Sequence, residues 1–336
     1  MATSGTVGAT TFQTRQVIDH ALRRCRLTPQ QIVPEHIQSC TDLLWLILST
    51  WTSKGLALWC IDRTNFGLTA GRTNITLPVG TLDVLNVNLR QVTSLPGTVT
   101  GTGGLGNNYT LALDSATQVT QVGIQPSLDC VQCSYVIQVS TDGGANYVTQ
   151  VTNTNVTLYA GQRYWYDISS STNVTHVRAL AGSADTLTLS SITAANNPSD
   201  VPLALVDRDT YYALSNNQFL GRPTQYWYNR KRAQPELVLW PAPLDTYVST
   251  FFLATALHRQ IQDVGTLPQE LELPQRWYLA AVCELARHAA RELKEVDGSL
   301  IPMLDADAAQ QLSIAWDGET DRAPVRLMPN IRGYTA

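Results

Sequence analysis

The feature that most constrains this chain is a break in its composition. Residues 91–198 contain no Lys and no Glu; their acids and bases are Asp114, Asp129, Asp142, Asp167, Asp185, Arg163 and Arg178, with one histidine, His176. The stretch is rich in Thr, Ser, Val, Asn and Gly. Short β-type runs are separated by turn signals such as Gly103-Gly104, Asp142-Gly143-Gly144 and Ala160-Gly161. β-branched side chains pack well on a pleated surface, and Gly and Asp supply the turn conformations. Such spacing, without helical periodicity, predicts an all-β sandwich. The segments on either side have a different character, so 91–198 reads as a domain inserted into another.

The flanks are helical at both ends. Val17, Ile18, Ala21, Leu22 and Cys25 recur at helical spacing, with Arg23, Arg24 and Arg26 placed where cations suit the helix dipole. Leu27-Thr28-Pro29 stops this helix, because the residue before proline avoids helical backbone. Pro34 opens a second helix carrying Ile37, Leu43, Leu44, Trp45, Leu46, Ile47, Leu48 and Trp51. Its apolar residues go most of the way round, which predicts burial on more than one side. Period-two runs at 56–61, 74–77, 82–89, 236–240 and 247–257 predict strands. A helix over 275–296 has a stripe of Tyr278, Val282, Leu285, Ala289, Leu293 and Val296; another spans 302–316. The segment 317–336 holds Pro324, Pro329 and Gly333 without a period and reads as an extended arm.

Charge excludes several classes. The chain has 336 residues, 23 Lys and Arg against 27 Asp and Glu, and 15% charged residues, where ~25% is typical. No basic block resembles a nucleic-acid footprint. Only Lys54, Lys231 and Lys294 are lysines; the other basic residues are Arg, the cation favoured at interfaces. The longest apolar run, 43–48, is far short of the roughly 18 residues that span a bilayer. Residues 1–11 have no basic and apolar pattern of a secretory signal, so assembly in a cytoplasm is expected.

No catalytic, cofactor or metal set is expected. Gly101-Thr102-Gly103-Gly104-Leu105-Gly106 fits G-x-G-x-x-G, but a dinucleotide site needs a helix to follow, and Asn107-Asn108-Tyr109-Thr110 leads into a β run. Cys130 and Cys133 form one CxxC with no second ligand pair; on a strand, an offset of three points the thiols to opposite faces. Glu284 and His288 are an ordinary i, i+4 pair on a helix.

Two stretches outside the insert carry a resemblance. One is Gly221-Arg222-Pro223-Thr224-Gln225-Tyr226-Trp227 followed by Leu237-Val238-Leu239-Trp240-Pro241-Ala242-Pro243. The other runs from Arg259-Gln260-Ile261-Gln262-Asp263 through Leu273-Pro274-Gln275-Arg276-Trp277 into the Ala-rich helix. With Leu68-Thr69-Ala70-Gly71 and Leu77-Pro78-Val79, this ordered set resembles the head-to-tail adaptors (tail accessory factors) of short-tailed bacteriophages. The resemblance covers about 1–90 and 199–336: a discontinuous core of 1–90 and 199–316, with 317–336 as a C-terminal arm. It implies an α+β fold: an α-helical bundle core with a small β-sheet region, plus the inserted all-β sandwich at 91–198.

It also implies a structural virion protein at the head–tail interface, not an enzyme. Copies would form a twelve-fold ring joining the portal protein to the tail nozzle, with a tail fibre or tailspike as a further neighbour. DNA would pass through the channel without specific binding. Leu44, Trp45, Leu48, Trp51, Tyr278, Val282 and Leu285 would pack subunit on subunit. Arg322, Val325, Arg326, Leu327, Met328, Ile331, Arg332 and Tyr334 would dock the arm on the portal, a mix of Arg and apolar anchors suited to an interface.

The insert separately resembles discoidin-like or carbohydrate-binding β-sandwiches, through the order of 119–124, 135–144 and 176–180. That resemblance implies an alternative: a virion-associated glycan-binding or glycan-cleaving protein. Its stacking platform would be Tyr159, Tyr164, Trp165 and Tyr166, of which strand alternation would bury half.

Overall fold

The computed structural model describes residues 12–54, 58–101, 106–214, 216 and 219–319, without the side chains of Ser170 and Ser171. The chain divides into two compact units, Met1–Cys60 with Gln260–Ala336, and Ile61–Arg259.

The first unit is helical. It contains α1 (Thr14–Arg24), α2 (Pro34–Lys54), α5 (Gln275–Glu292) and α6 (Ile301–Asp317). α1 begins where Gln16 Oε1 accepts the backbone N–H of Gln13 at 2.9 Å. It stops ahead of Pro29 because Arg26 adopts φ 61°, and the Leu27 N–H reaches back to the Leu22 carbonyl at 3.2 Å. That closure satisfies a carbonyl the helix end would leave bare. α5 is buried on nearly every side over Ala280 to Ala286. Its alanines let α1, α2 and α6 all pack on it, since small side chains allow close approach of helix axes. Trp277 on α5 lies 5.0 Å from Trp51 of α2 and 5.0 Å from Trp316 of α6, ring centre to ring centre.

The second unit is built on a nine-stranded antiparallel sheet: β1 (Ile61–Gly67), β3 (Thr81–Ser94), β4 (Gly97–Gly101), β5 (Asn108–Pro126), β6 (Cys130–Ser140), β7 (Val148–Leu158), β8 (Tyr164–Ala181), β9 (Leu189–Pro202) and β15 (Phe251–Arg259). The strand order is β1-β15-β3-β9-β5-β8-β6-β7, with β4 paired to β5. A four-stranded sheet orders β10 (Ala204–Leu205), β12 (Gln225–Asn229), β13 (Glu236–Trp240) and β2 (Asn74–Thr76). β11 (Leu220–Gly221) pairs with β14 (Ala242–Pro243), and two short helices, α3 (Arg208–Ala213) and α4 (Asp245–Val248), complete the unit.

This corrects the expected fold class. The protein is mostly β, with 43% of the described residues in strands and 28% in helices, so a helical bundle with a small sheet does not describe it. β3 runs through position 90/91 and β9 through 198/199, and β3 pairs with β15 on one side and β9 on the other. The strands of 91–198 therefore extend a sheet begun by their flanks. Backbone hydrogen bonding is indifferent to whether side chains are charged, so the loss of Lys and Glu marks no sheet boundary. By contacts, the two compact units meet at 60/61 and 259/260.

Two strand expectations also shift. Residues 58–60 form a 3-10 turn and the strand begins at Ile61, while 247–257 opens with α4 before β15 starts at Phe251.

Candidate functional site

The residues expected to pack one subunit on another fall mostly inside the helical unit itself. Leu44, Leu48, Trp51, Val282 and Leu285 are buried in its core, and Tyr278 is half-buried against it. They fill the unit's own interior, because α5 draws three helices around itself, and they are not available to a neighbour. Trp45 is the exception. It is exposed, and its indole Nε1 donates to Asp263 Oδ1 at 2.7 Å. Leu46 is exposed beside it.

A second outward face lies on α6. Its exposed positions from Pro302 to Ile314 are Pro302, Met303, Ala306, Ala309, Gln310, Ser313 and Ile314. They follow helical spacing and carry no charge. The two acids between Pro302 and Ile314 are turned aside: Asp305 accepts from Arg291 Nη2 at 2.8 Å and Asp307 from Arg24 Nη1 at 3.4 Å. Ile314 is 57% exposed and Met303 48%, large apolar side chains on the solvent side of the helix. Sequence reasoning missed this face, although its spacing was legible: the small and apolar residues recur on the side away from Leu304, Ala308 and Ala315, which are buried.

The arm residues Arg322, Val325, Arg326, Leu327, Met328, Ile331, Arg332 and Tyr334 lie outside the described residues. The chain leading to them is anchored by Glu319, whose buried carboxylate accepts from Trp277 Nε1 at 3.0 Å and from Arg276 Nε at 2.7 Å.

The expected aromatic platform is not assembled. Tyr159 stands 58% exposed in a turn, its backbone N–H donating to the Tyr164 hydroxyl at 2.9 Å. Trp165 is buried, stacked on Phe252 at 5.0 Å with 17° between the rings. Tyr164 and Tyr166 point to the opposite side of β8 and pack on a second core, where the Tyr166 hydroxyl is hydrogen-bonded to that of Tyr135. Burial pushes the Tyr166 hydroxyl up to about 12. Alternation thus splits Tyr164, Trp165 and Tyr166 between two faces, both of them covered by the protein, and leaves Tyr159 alone in its turn.

A different aromatic group does form on the four-stranded sheet. Along β12, Tyr226 and Tyr228 are buried while Trp227 between them is half-exposed on the other face. Tyr211 and Tyr212 of α3 hold it, each with its ring centre 5.6 Å from the indole. The signal was the alternation within Tyr226-Trp227-Tyr228.

The thiols lie where chemistry is suppressed. Cys25, Cys40, Cys60, Cys133 and Cys283 are buried and Cys130 is half-buried; none is in a disulfide. Cys130 and Cys133 do not alternate simply across β6, because Gln132 between them has φ 55° and Cys133 Sγ turns back to the Cys130 carbonyl at 3.8 Å. Gly101 and Gly106 flank a connection between the paired strands β4 and β5, not the start of a helix; positions 102–105 lie outside the described residues. Among the described residues no group of three or more His, Cys, Asp and Glu could hold a metal ion. No described helix is long and apolar enough to cross a membrane.

No protein-family model matches the chain, and no curated protein matches it. Solved structures align with part of it. One is described as an alpha-L-fucosidase from Bacteroides thetaiotaomicron, at 16% identity and TM-score 0.23, covering 29% of this chain and 22% of that one. The chain thus spans under a quarter of that enzyme. A chitosan-binding module of a chitosanase/glucanase from Paenibacillus aligns at 18% identity and TM-score 0.23, over 39% of this chain and 98% of the module. A CBM32 module from Clostridium perfringens, in complex with GalNAc-β-1,3-galactose, aligns at 16% identity and TM-score 0.21, over 42% of this chain and 94% of the module.

Proposed function

We propose that this protein is a structural assembly subunit: a head-to-tail adaptor of a short-tailed bacteriophage, forming a ring between portal and tail nozzle through which DNA passes. The observation that carries this reading is the uncharged outward stripe of α6, together with exposed Trp45 and Leu46 on α2. α2 and α6 both pack on α5, so one unit offers two different apolar faces. Two unlike faces suit a head-to-tail contact, which closes into a ring when the rotation allows. Ala306, Ala309 and Ser313 leave room for a large knob from a neighbour, and Trp45 and Leu46 are such knobs. The acidic balance suits a channel, because each Lys or Arg held to phosphate would retain the DNA.

Electron microscopy of the protein with its portal ring tests this. A ring of about a dozen copies is expected on the portal. Ala306→Arg should abolish it while the circular dichroism spectrum stays unchanged. Removal of 320–336, which spares Glu319, should release the ring from the portal. A protein that stays monomeric with the portal present would end the reading.

A second reading is favoured by the aromatic side chains exposed on the β-rich unit, Tyr212 above all: a virion protein that binds glycans there. Saturation-transfer NMR with bacterial surface polysaccharide tests it, and the absence of any transfer would remove it.

A further inference from the structure

The β-rich unit contains a cleft of about 500 Å³ at the edge of the four-stranded sheet. β10 pairs only with Gln225 and Tyr226 of β12. Beyond that point the sheet edge opens, and Trp227 forms one wall of the cleft, with Leu205 on the β10 side. Four charged side chains line it: Asp83 from β3, Asp207 and Arg208 at the start of α3, and Arg230 just past β12.

We propose that this cleft is a subsite for a neutral sugar ring, with Trp227 as its stacking wall. The proposal rests on the glycan-binding reading and moves the site away from Tyr159 and Trp165. Three observations converge on it. Trp227 is held by two tyrosines, so its indole is fixed before any ligand arrives, which lowers the ordering cost of binding. Tyr212, 61% exposed, extends the aromatic surface beside it.

The charges of the lining cancel, two acids against two arginines, and this selects the ligand class. An anion would face Asp83 and Asp207, a cation would face Arg208 and Arg230, and an apolar molecule would desolvate all four without return. A sugar hydroxyl both donates and accepts. Carboxylates accept from such groups and guanidinium groups donate to them. Three of the four charged groups also have a hydrogen-bond partner. Arg230 Nη2 lies 3.2 Å from Asp83 Oδ1, and the Asp207 carboxylate accepts the Thr210 N–H at 2.8 Å. The C–H face of a sugar ring lies naturally on an indole, while its equatorial hydroxyls reach the acids and arginines at the rim. A cleft with an aromatic wall and a few convergent polar groups is the usual form of a small-molecule site.

The test uses the full chain with galactose, glucose, N-acetylglucosamine and a bacterial O-polysaccharide as probes, read by saturation-transfer NMR and titration. At least one probe is expected to bind. Trp227→Ala and Asp83→Asn should each weaken that binding about tenfold or more; Tyr159→Ala should leave it unchanged. Asp83→Asn is nearly isosteric and guards against misfolding in the tryptophan variant, and thermal melting of both reports their folding. Binding that survives Trp227→Ala and Asp83→Asn, or that Tyr159→Ala abolishes, overturns this site while the glycan reading stands. No binding of any probe removes both.

Discussion

The indole N–H of Trp277 donates to a carboxylate oxygen of Glu319 at 3.0 Å, inside the helical unit. The pair joins the middle of that unit to the last described turn of the chain. Glu319 also accepts from Arg276, and its other oxygen lies 3.4 Å from the Leu58 N–H. One side chain therefore ties α5, the turn after α2 and the exit of α6 together. Glu319→Ala would leave the buried indole N–H without a partner. A loss of about 1–3 kcal/mol is expected, read as a lower urea midpoint at unchanged slope. Glu319→Gln, which still accepts from the indole, should lose less. Equal stability of the alanine variant and the parent would show that the tie contributes nothing.

Among the described glycines of the β-rich unit, Gly67 on β1 leaves the least room for a side chain. A Cβ built there would sit 1.8 Å from the Arg163 carbonyl oxygen. No side-chain motion relieves a clash with backbone, so β1 would have to part from the residues leading into β8. Gly67→Ala is therefore expected to lower the melting temperature by several degrees or yield insoluble protein, since a backbone shift in a packed sheet costs about 1–3 kcal/mol. Gly71, with φ 70° and nothing within 4 Å, is the control: there Ala meets only the unfavourable backbone angle. A soluble Gly67→Ala protein melting with the parent would contradict the approach.

The thiols give a chemical check on the core. Burial pushes Cys25 up to about 11. It pushes Cys40 up to about 12, with Cys25 and Glu292 adding to the effect, and Cys133 up to about 12 with Cys130 adding. The thiolate is the reactive species. At pH 8, Ellman's reagent should react quickly with no more than Cys130 in the native protein, and with all six thiols in guanidinium chloride. Several fast thiols in the native state would mean the helical core is open.

Local periodicity made much of this molecule legible. α1, α2, α5 and α6 lie where apolar spacing and the prolines at 29, 34 and 274 put them, because those signals act within a few residues. The pairing of strands did not follow. β15 meets β3 with Phe252 opposite Arg90, and β3 meets β9 with Arg90 opposite Asp200. These partners are more than a hundred positions apart, and nothing local marks them. The bidentate pair from Arg90 to Asp200, at 2.6 and 2.8 Å, joins the two flanks, and Arg90 Nη1 also reaches Asp167 Oδ1 at 3.2 Å across the compositional break that suggested a separate domain. Trp165 shows the same limit: alternation says that it and Tyr166 face opposite ways, but not that Phe252 covers one side and Tyr135 the other. The Trp227 cleft was hidden because Asp83, Asp207 and Arg230 meet only through tertiary packing.

The last prediction concerns acid stability. His258 on β15 is buried, opposite Ile61 of β1 and Asp83 of β3, and its Nε2 has no hydrogen-bond partner among the described residues. Burial holds its pKa below the ordinary 6.5, with Asp83 pulling weakly the other way. The folded imidazole is thus neutral where the unfolded chain already takes up a proton. Below pH 6.5 the unfolded state binds more protons, so stability falls as pH falls through that value. Above pH 6.5 both states are neutral at this position and the contribution is fully present. Asp and Glu titrate mostly lower, near 4, which leaves the interval just below 6.5 to histidine. Melting temperatures measured from pH 7.5 to 5.5 should decline in the parent and decline less in His258→Gln. The same slope in both proteins would show that His258 is not the group responsible.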